Sequence, residues 1–73
     1  MSEHIEKRRE GAVLSLVLAR PEKKNALTAA MYDALSLAFA EANRADDIGA
    51  ILISGKGGVF TAGNDIGDFL RAV

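Results

Sequence analysis

Between the turn Glu10-Gly11 and the break Arg20-Pro21 lies a short apolar run, Ala12-Val13-Leu14-Ser15-Leu16-Val17-Leu18-Ala19, interrupted only by Ser15. A run of this length that stops at a proline suits a β-strand covered on both faces better than a helix. Residues 5–9 before the glycine turn are mostly charged, which suits an edge strand facing water, so the two segments read as a hairpin. Beyond the loop, Thr28 can accept a backbone N–H as a helix N-cap. From there to about Arg44, Met31, Leu35, Ala38, Phe39 and Ala42 fall at i, i+4, i+7, i+8 and i+11, one apolar face of a helix. Alanine at 29, 30, 34, 38, 40, 42 and 45 favours that helix and its close packing on a sheet. Asp46-Asp47 closes it with turn residues. Ala50-Ile51-Leu52-Ile53-Ser54 is β-branched and apolar, a buried strand, and Gly55-Lys56-Gly57-Gly58 allows a sharp change of direction after it.

Strand, helix and strand in that order predict a parallel crossover and an α/β fold. Residues 65–73 begin a further helix with Ile66, Phe69, Leu70 and Val73 at helical spacing, and the pattern ends without a cap or breaker. No repeat, low-complexity tract or linker divides residues 1–73, which read as one unit.

At 73 residues such a unit buries only about 60% of the surface its unfolded chain exposes, so it is marginal by itself. With no cysteine and a single histidine, neither disulfides nor a thiolate metal site can compensate. Its composition, 49% apolar and 26% charged, is that of a globular domain, which must complete its core with other residues. A net charge of -1 supplies no long-range field for nucleic acid or anionic lipid. No apolar run approaches the ~20 residues a membrane span requires, and the mixed N-terminus is unlike a signal peptide, so a cytoplasmic location is expected. His4 has no second ligand at a metal spacing and reads as a surface histidine.

Three loops could carry chemistry, each following a strand or preceding a helix, where α/β proteins bind ligands. In the first, Lys23 and Lys24 can hold a phosphate as point charges, with Asn25 and the backbone of Ala26 adding hydrogen bonds; a solvated basic loop is the simpler reading. In the second, Gly55-Lys56-Gly57-Gly58 lacks the spacing of a phosphate-binding P-loop. In the third, Ala62-Gly63 lets a substrate approach the backbone, while Asn64 and Asp65 present N–H groups without intrahelical acceptors, donors of the type that stabilise charge on a carbonyl oxygen. Taken alone, Ala62-Gly63-Asn64-Asp65 reads first as a turn and an N-cap. Ser15, Ser36, Ser54, Thr61, Asp65 and Asp68 have no histidine base in a recognisable motif, and Asp65 with Asp68 reads as an acidic first turn before a catalytic pair. The residues thus offer an anion-stabilising backbone without a proton-transfer group.

In order and spacing, the strings LSLVLARPEKKNALTAAMYDAL and AILISGKGGVFTAGNDIGDFL closely resemble the start of the crotonase (enoyl-CoA hydratase/isomerase) superfamily, from Val13 to Leu70. The shared pattern is an R-P-x-x-x-N-A-L loop after a strand, a helix, a strand ending in S-G-x-G, and F-x-A-G-x-D opening the next helix. The resemblance implies a spiral of ββα turns, of which residues 1–73 form the N-terminal part of a single domain: hairpin, helix, strand and the start of a further helix. It implies acyl-CoA thioester substrates, whose enolate is stabilised by two backbone N–H groups, with no cofactor beyond the coenzyme A of the substrate itself. The position carried over to one of those donors is the Asn64 N–H; Lys24, Ala26, Ala62, Asp65 and Ile66 match positions around the CoA moiety. Asparagine replaces the alanine common at residue 64 in hydratases and also occurs in isomerase-like members. The second donor and the acid/base carboxylates belong to later segments of the family, so residues 1–73 by themselves are expected to be inactive.

Two functions follow from the resemblance. The first is an enzyme of fatty acyl-CoA metabolism, a hydratase of 2-enoyl-CoA or else an enoyl-CoA isomerase, assembled as a homo-oligomer, a trimer or pair of trimers. The second is a non-catalytic module that binds CoA or a protein partner. Neither has nucleic acid or a membrane as a partner.

Overall fold

The computed structural model describes residues 4–72. Val73, expected to extend the last helix, lies outside the described residues, as does the side chain of Phe69. The order is strand β1 (Ile5–Glu10), strand β2 (Val13–Leu18), a 3₁₀ turn (Pro21–Lys23), helix α1 (Ala29–Arg44), strand β3 (Ala50–Gly55), a second 3₁₀ turn (Lys56–Gly58) and helix α2 (Ile66–Ala72). β1 and β2 form the expected hairpin, and β2 pairs in parallel with β3 around α1, giving one mixed sheet in the order β1-β2-β3.

Thr28 is the N-cap of α1, its hydroxyl accepting from Met31 N–H at 3.1 Å. The period of two in β2 sends Leu14, Leu16 and Leu18 toward the helix, where all three are buried. Leu14 and Leu16 meet Ala38 and Ala42, with Ile51 and Ile53 of β3 beside them. Leu18 meets Ile5 and Met31. Phe39, expected on the buried face, is 36% exposed. Eight residues past Met31 on a 3.6-residue turn it points about 80° away, at the margin of the stripe.

β2 was expected to be covered on both faces and β3 to be buried; α1 covers one face of the sheet. The parallel register sets Val13, Ser15 and Val17 beside Ala50, Leu52 and Ser54 on the other face, where Leu52 is 57% exposed, and no residue of β3 is buried. The sequence pattern records a second covering layer that residues 4–72 do not contain.

β1 is a charged edge, as expected. Lys7 pairs with Glu41 of α1 at 2.9 Å and Arg9 with Asp47 at 2.7 Å, while Glu6 on the opposite face pairs with Lys56. Hydrogen bonds from these cations, followed by their charge, hold Glu41 and Asp47 below the ordinary carboxylate range, and the Lys56 hydrogen bond does the same for Glu6. All three pairs are solvated, and they fix the hairpin's orientation more than they stabilise it.

Candidate functional site

The loop after β2 turns through two left-handed residues, Lys24 (φ 52°) and Asn25 (φ 57°), a region asparagine enters more readily than most residues. Asn25 is fully buried. Its Oδ1 accepts from Arg20 N–H at 2.8 Å, and its Nδ2 donates to the carbonyls of Lys56 (2.8 Å) and Val59 (2.7 Å). Asn25, read as part of a solvated basic loop or else as a ligand contact, does neither: it ties the loop after β2 to the loop after β3, and both its amide hydrogens are engaged. Gly55 is required at that junction, since a Cβ there would sit 2.4 Å from the Phe60 carbonyl. The Gly55-Lys56-Gly57-Gly58 segment is thus a clamp on Asn25, consistent with its failure to match a P-loop.

From this clamp the chain runs back beside the first loop. Thr61 Oγ1 donates to the Asn25 carbonyl at 2.7 Å, and Ala62 N–H donates to the Lys24 carbonyl at 2.9 Å. Leu27 and Asn64 then form an isolated parallel bridge: Leu27 N–H donates to Gly63 O at 2.7 Å, and Asp65 N–H donates to Leu27 O at 2.8 Å. In such a bridge one residue uses both its N–H and C=O, while those of the residue opposite point away from it. Leu27 is the user, so the N–H of Asn64 is directed outward.

Across 62–65 the other amides are engaged: Ala62 with Lys24, Gly63 with Thr61 Oγ1 at 3.1 Å, and Asp65 with Leu27. The Asn64 N–H has no acceptor among the described residues, and Asn64 is exposed. Of the two donors read from the sequence, Asp65 N–H is therefore corrected to a structural bond and Asn64 N–H is retained. Gly63 at φ 95° makes the approach possible, since a side chain in that conformation is strained.

The frame behind Asn64 is ionic. Arg20 Nη1 donates to Asp65 Oδ2 at 2.8 Å and to the Ala26 carbonyl at 3.0 Å, with the two side chains of the pair 14% and 20% exposed. Asp65 Oδ1 accepts from Asp68 N–H at 3.0 Å, the N-cap of α2, and Asp68 Oδ2 accepts from Ala29 N–H at 2.7 Å at the start of α1. Both carboxylates read as structural in the sequence have structural partners. Asp65→Asn keeps the cap but loses the ion pair, so a loss of about 1–2 kcal/mol of stability is expected, read from the denaturant midpoint, with a smaller effect on rate.

The structure thus brings Lys24, Ala26, Ala62, Gly63, Asn64 and Asp65 side by side on two parallel segments, with Ile66, 71% exposed, on the first turn of α2. Lys23 and Lys24 are exposed on the rim. The Ala26 N–H, whose backbone was one candidate for a ligand hydrogen bond, donates to Lys23 O at 3.0 Å. The sequence reading gave Arg20 and Tyr32 no role and weighed Thr61 only as a nucleophile; the Tyr32 hydroxyl donates to Asn64 Oδ1 at 2.5 Å. Arg20 and Asp65 stand 45 residues apart, and no local pattern links them. Among the described residues no group of three His, Cys, Asp or Glu could hold a metal, and no helix is long and apolar enough to cross a membrane.

The sequence model of the enoyl-CoA hydratase/isomerase family matches residues 8–73. The rat protein enoyl-CoA delta isomerase 2 is 36% identical over 63 residues, covering 86% of this chain and 16% of that protein. A crystal structure of an enoyl-CoA hydratase/isomerase from Pseudoalteromonas atlantica superposes with a TM-score of 0.92 at 41% identity, over 97% of this chain and 28% of that one. The enoyl-CoA hydratase of Mycobacterium tuberculosis gives 0.88 at 32% identity, over 97% of this chain and 32% of that one. The chain therefore spans about a sixth of the rat relative and under a third of the two solved chains.

Proposed function

Because this chain belongs to the enoyl-CoA hydratase/isomerase family, we propose that it contributes the Asn64 N–H as one of two donors polarising the carbonyl of an acyl-CoA thioester. The observation that carries this reading is the outward, unaccepted N–H of Asn64 between amides that are all engaged. A donor held in place before substrate arrives needs no reorganisation as charge develops on the carbonyl oxygen, which is why such groups contribute strongly to catalysis. Lys24, Ala26, Ala62, Asp65 and Ile66 surround the CoA moiety in this proposal, Lys24 facing its phosphates as a mobile point charge. Asp65 contributes by fixing the loop, since its carboxylate is engaged by Arg20 and the α2 backbone.

Residues 1–73 form the N-terminal part of a single crotonase-like domain. Asp65 and Asp68 are both engaged in structural bonds, so proton transfer needs carboxylates from elsewhere in the domain, and residues 1–73 alone do not turn over substrate. The complete protein hydrates 2-enoyl-CoA in fatty acid metabolism, in the cytoplasm, as a trimer or pair of trimers. A second reading, double-bond isomerisation, is favoured by the name of the 36% identical rat relative, while asparagine at position 64 leaves the reaction undecided. Parallel assays of the complete protein with a 2-enoyl-CoA and a 3-enoyl-CoA separate them. Hydration of the first supports a hydratase, and migration of the double bond in the second supports an isomerase. CoA binding without either reaction leaves the non-catalytic module.

A further inference from the structure

The two hydrogen bonds from Leu27 hold the backbone on both sides of Asn64, but they lie along one edge. Rotation about that edge is resisted little by Gly63, which has no side chain and no atom within 4 Å of where a Cβ would be. Gly63 N–H on Thr61 Oγ1 and the Asp65 carboxylate on Arg20 brace the neighbours of Asn64, but none of these bonds is made by Asn64 itself, and a contact to its own side chain adds a restraint from another direction. The Tyr32 hydroxyl supplies one by donating to Asn64 Oδ1 at 2.5 Å. Tyr32 stands in the first turn of α1, next to the fully buried Met31 and downstream of the Thr28 cap. Its ring therefore starts from a backbone anchored in the core, although the side chain is 40% exposed.

We propose that Tyr32 is a positioning residue for the Asn64 donor: its hydrogen bond to Asn64 Oδ1 fixes the residue whose N–H meets the thioester oxygen. The proposal rests on the reading of that N–H as the carbonyl donor. Placement matters because a donor acts at about 2.7–3.1 Å from the developing oxyanion, and a displacement of about 1 Å can cost up to 10²-fold in rate. It also assigns the asparagine side chain a purpose that alanine at this position could not serve. With Oδ1 engaged by the phenol, the carboxamide is held in one orientation, and substitution at either end of the bond releases the same restraint.

The test is a double-mutant cycle in the complete protein, with Tyr32→Phe, Asn64→Ala and the double variant assayed on enoyl-CoA. Tyr32→Phe removes only a hydroxyl, and Asn64→Ala keeps the backbone N–H. Tyr32→Phe is expected to lower kcat about three- to tenfold, the worth of one hydrogen bond, with KM changed less than twofold and the thermal midpoint unmoved. In the Asn64→Ala background it should have no further effect. The same loss in both backgrounds, a loss confined to KM, or an unchanged kcat overturns the positioning role. Failure of the donor reading is separately visible, since Asn64→Pro would then leave turnover unchanged.

Discussion

Replacing Asn64 by proline in the complete protein should lower kcat about 10²–10³-fold, equivalent to about 3–4 kcal/mol of transition-state stabilisation, while substrate binding changes much less. Proline removes the amide hydrogen and, with the carboxamide, the Oδ1 that accepts from Tyr32, so its effect is read against Asn64→Ala, which loses the carboxamide alone. The bridge with Leu27 uses Gly63 O and Asp65 N–H, so neither of its hydrogen bonds is made by residue 64 itself, and the Tyr32 contact to Oδ1 is the one side-chain bond lost with the asparagine. Asn64→Ala is the control: it keeps the N–H, loses only the Tyr32 contact, and should cost no more than about tenfold. Steady-state kinetics on the three proteins, with circular dichroism to verify folding, measure the effect.

Asn25→Asp should be the most destabilising near-isosteric change in the chain, by about 3–5 kcal/mol. At the same shape, the amide that donates to Lys56 O and Val59 O at 2.8 and 2.7 Å becomes an oxygen facing two carbonyl oxygens, in a site with no exposure. The new carboxyl can relieve part of this by keeping its proton, which raises its pKa in the folded state above the unfolded value. A folded state that binds more protons than the unfolded one loses stability as pH rises, so the variant should be least damaged in acid and progressively worse above the ordinary aspartate range. Urea midpoints across pH, compared with the parent protein, measure both the size and the sign. Because the clamp joins the loops after β2 and β3, the damage should extend to the placement of Asn64.

The elements themselves were legible because they rest on local chemistry. The glycine turn and the charged segment before residues 12–19 specified the hairpin, Thr28 the start of α1, and Asp65 the start of α2. The one-sided covering of the sheet was not, since apolarity on both faces records what a strand is built to touch and not where the second layer comes from. Nor was the role of Asn25 legible: an asparagine in a basic loop looks like a ligand contact until its burial is known. Arg20, Asp65 and Ala26 O form a tie that depends on two loops being brought together by β2 and β3, a long-range consequence of sheet order. The Asn64 carbonyl donor is a proposal that comes from the family resemblance. Its direction becomes a physical statement only with the Leu27 bridge, which accounts for why the Asp65 N–H, read as equally available, is not.

The central claim is that the Asn64 N–H bonds to the thioester oxygen, and the stretching frequency of an isotopically labelled carbonyl in bound acyl-CoA reads that bond directly. On binding to the complete protein the band should move to lower frequency as the C=O bond is polarised, and Asn64→Pro should return it part of the way toward its position in water. A bound carbonyl whose frequency is the same in both proteins, with acyl-CoA binding retained, would contradict the assignment.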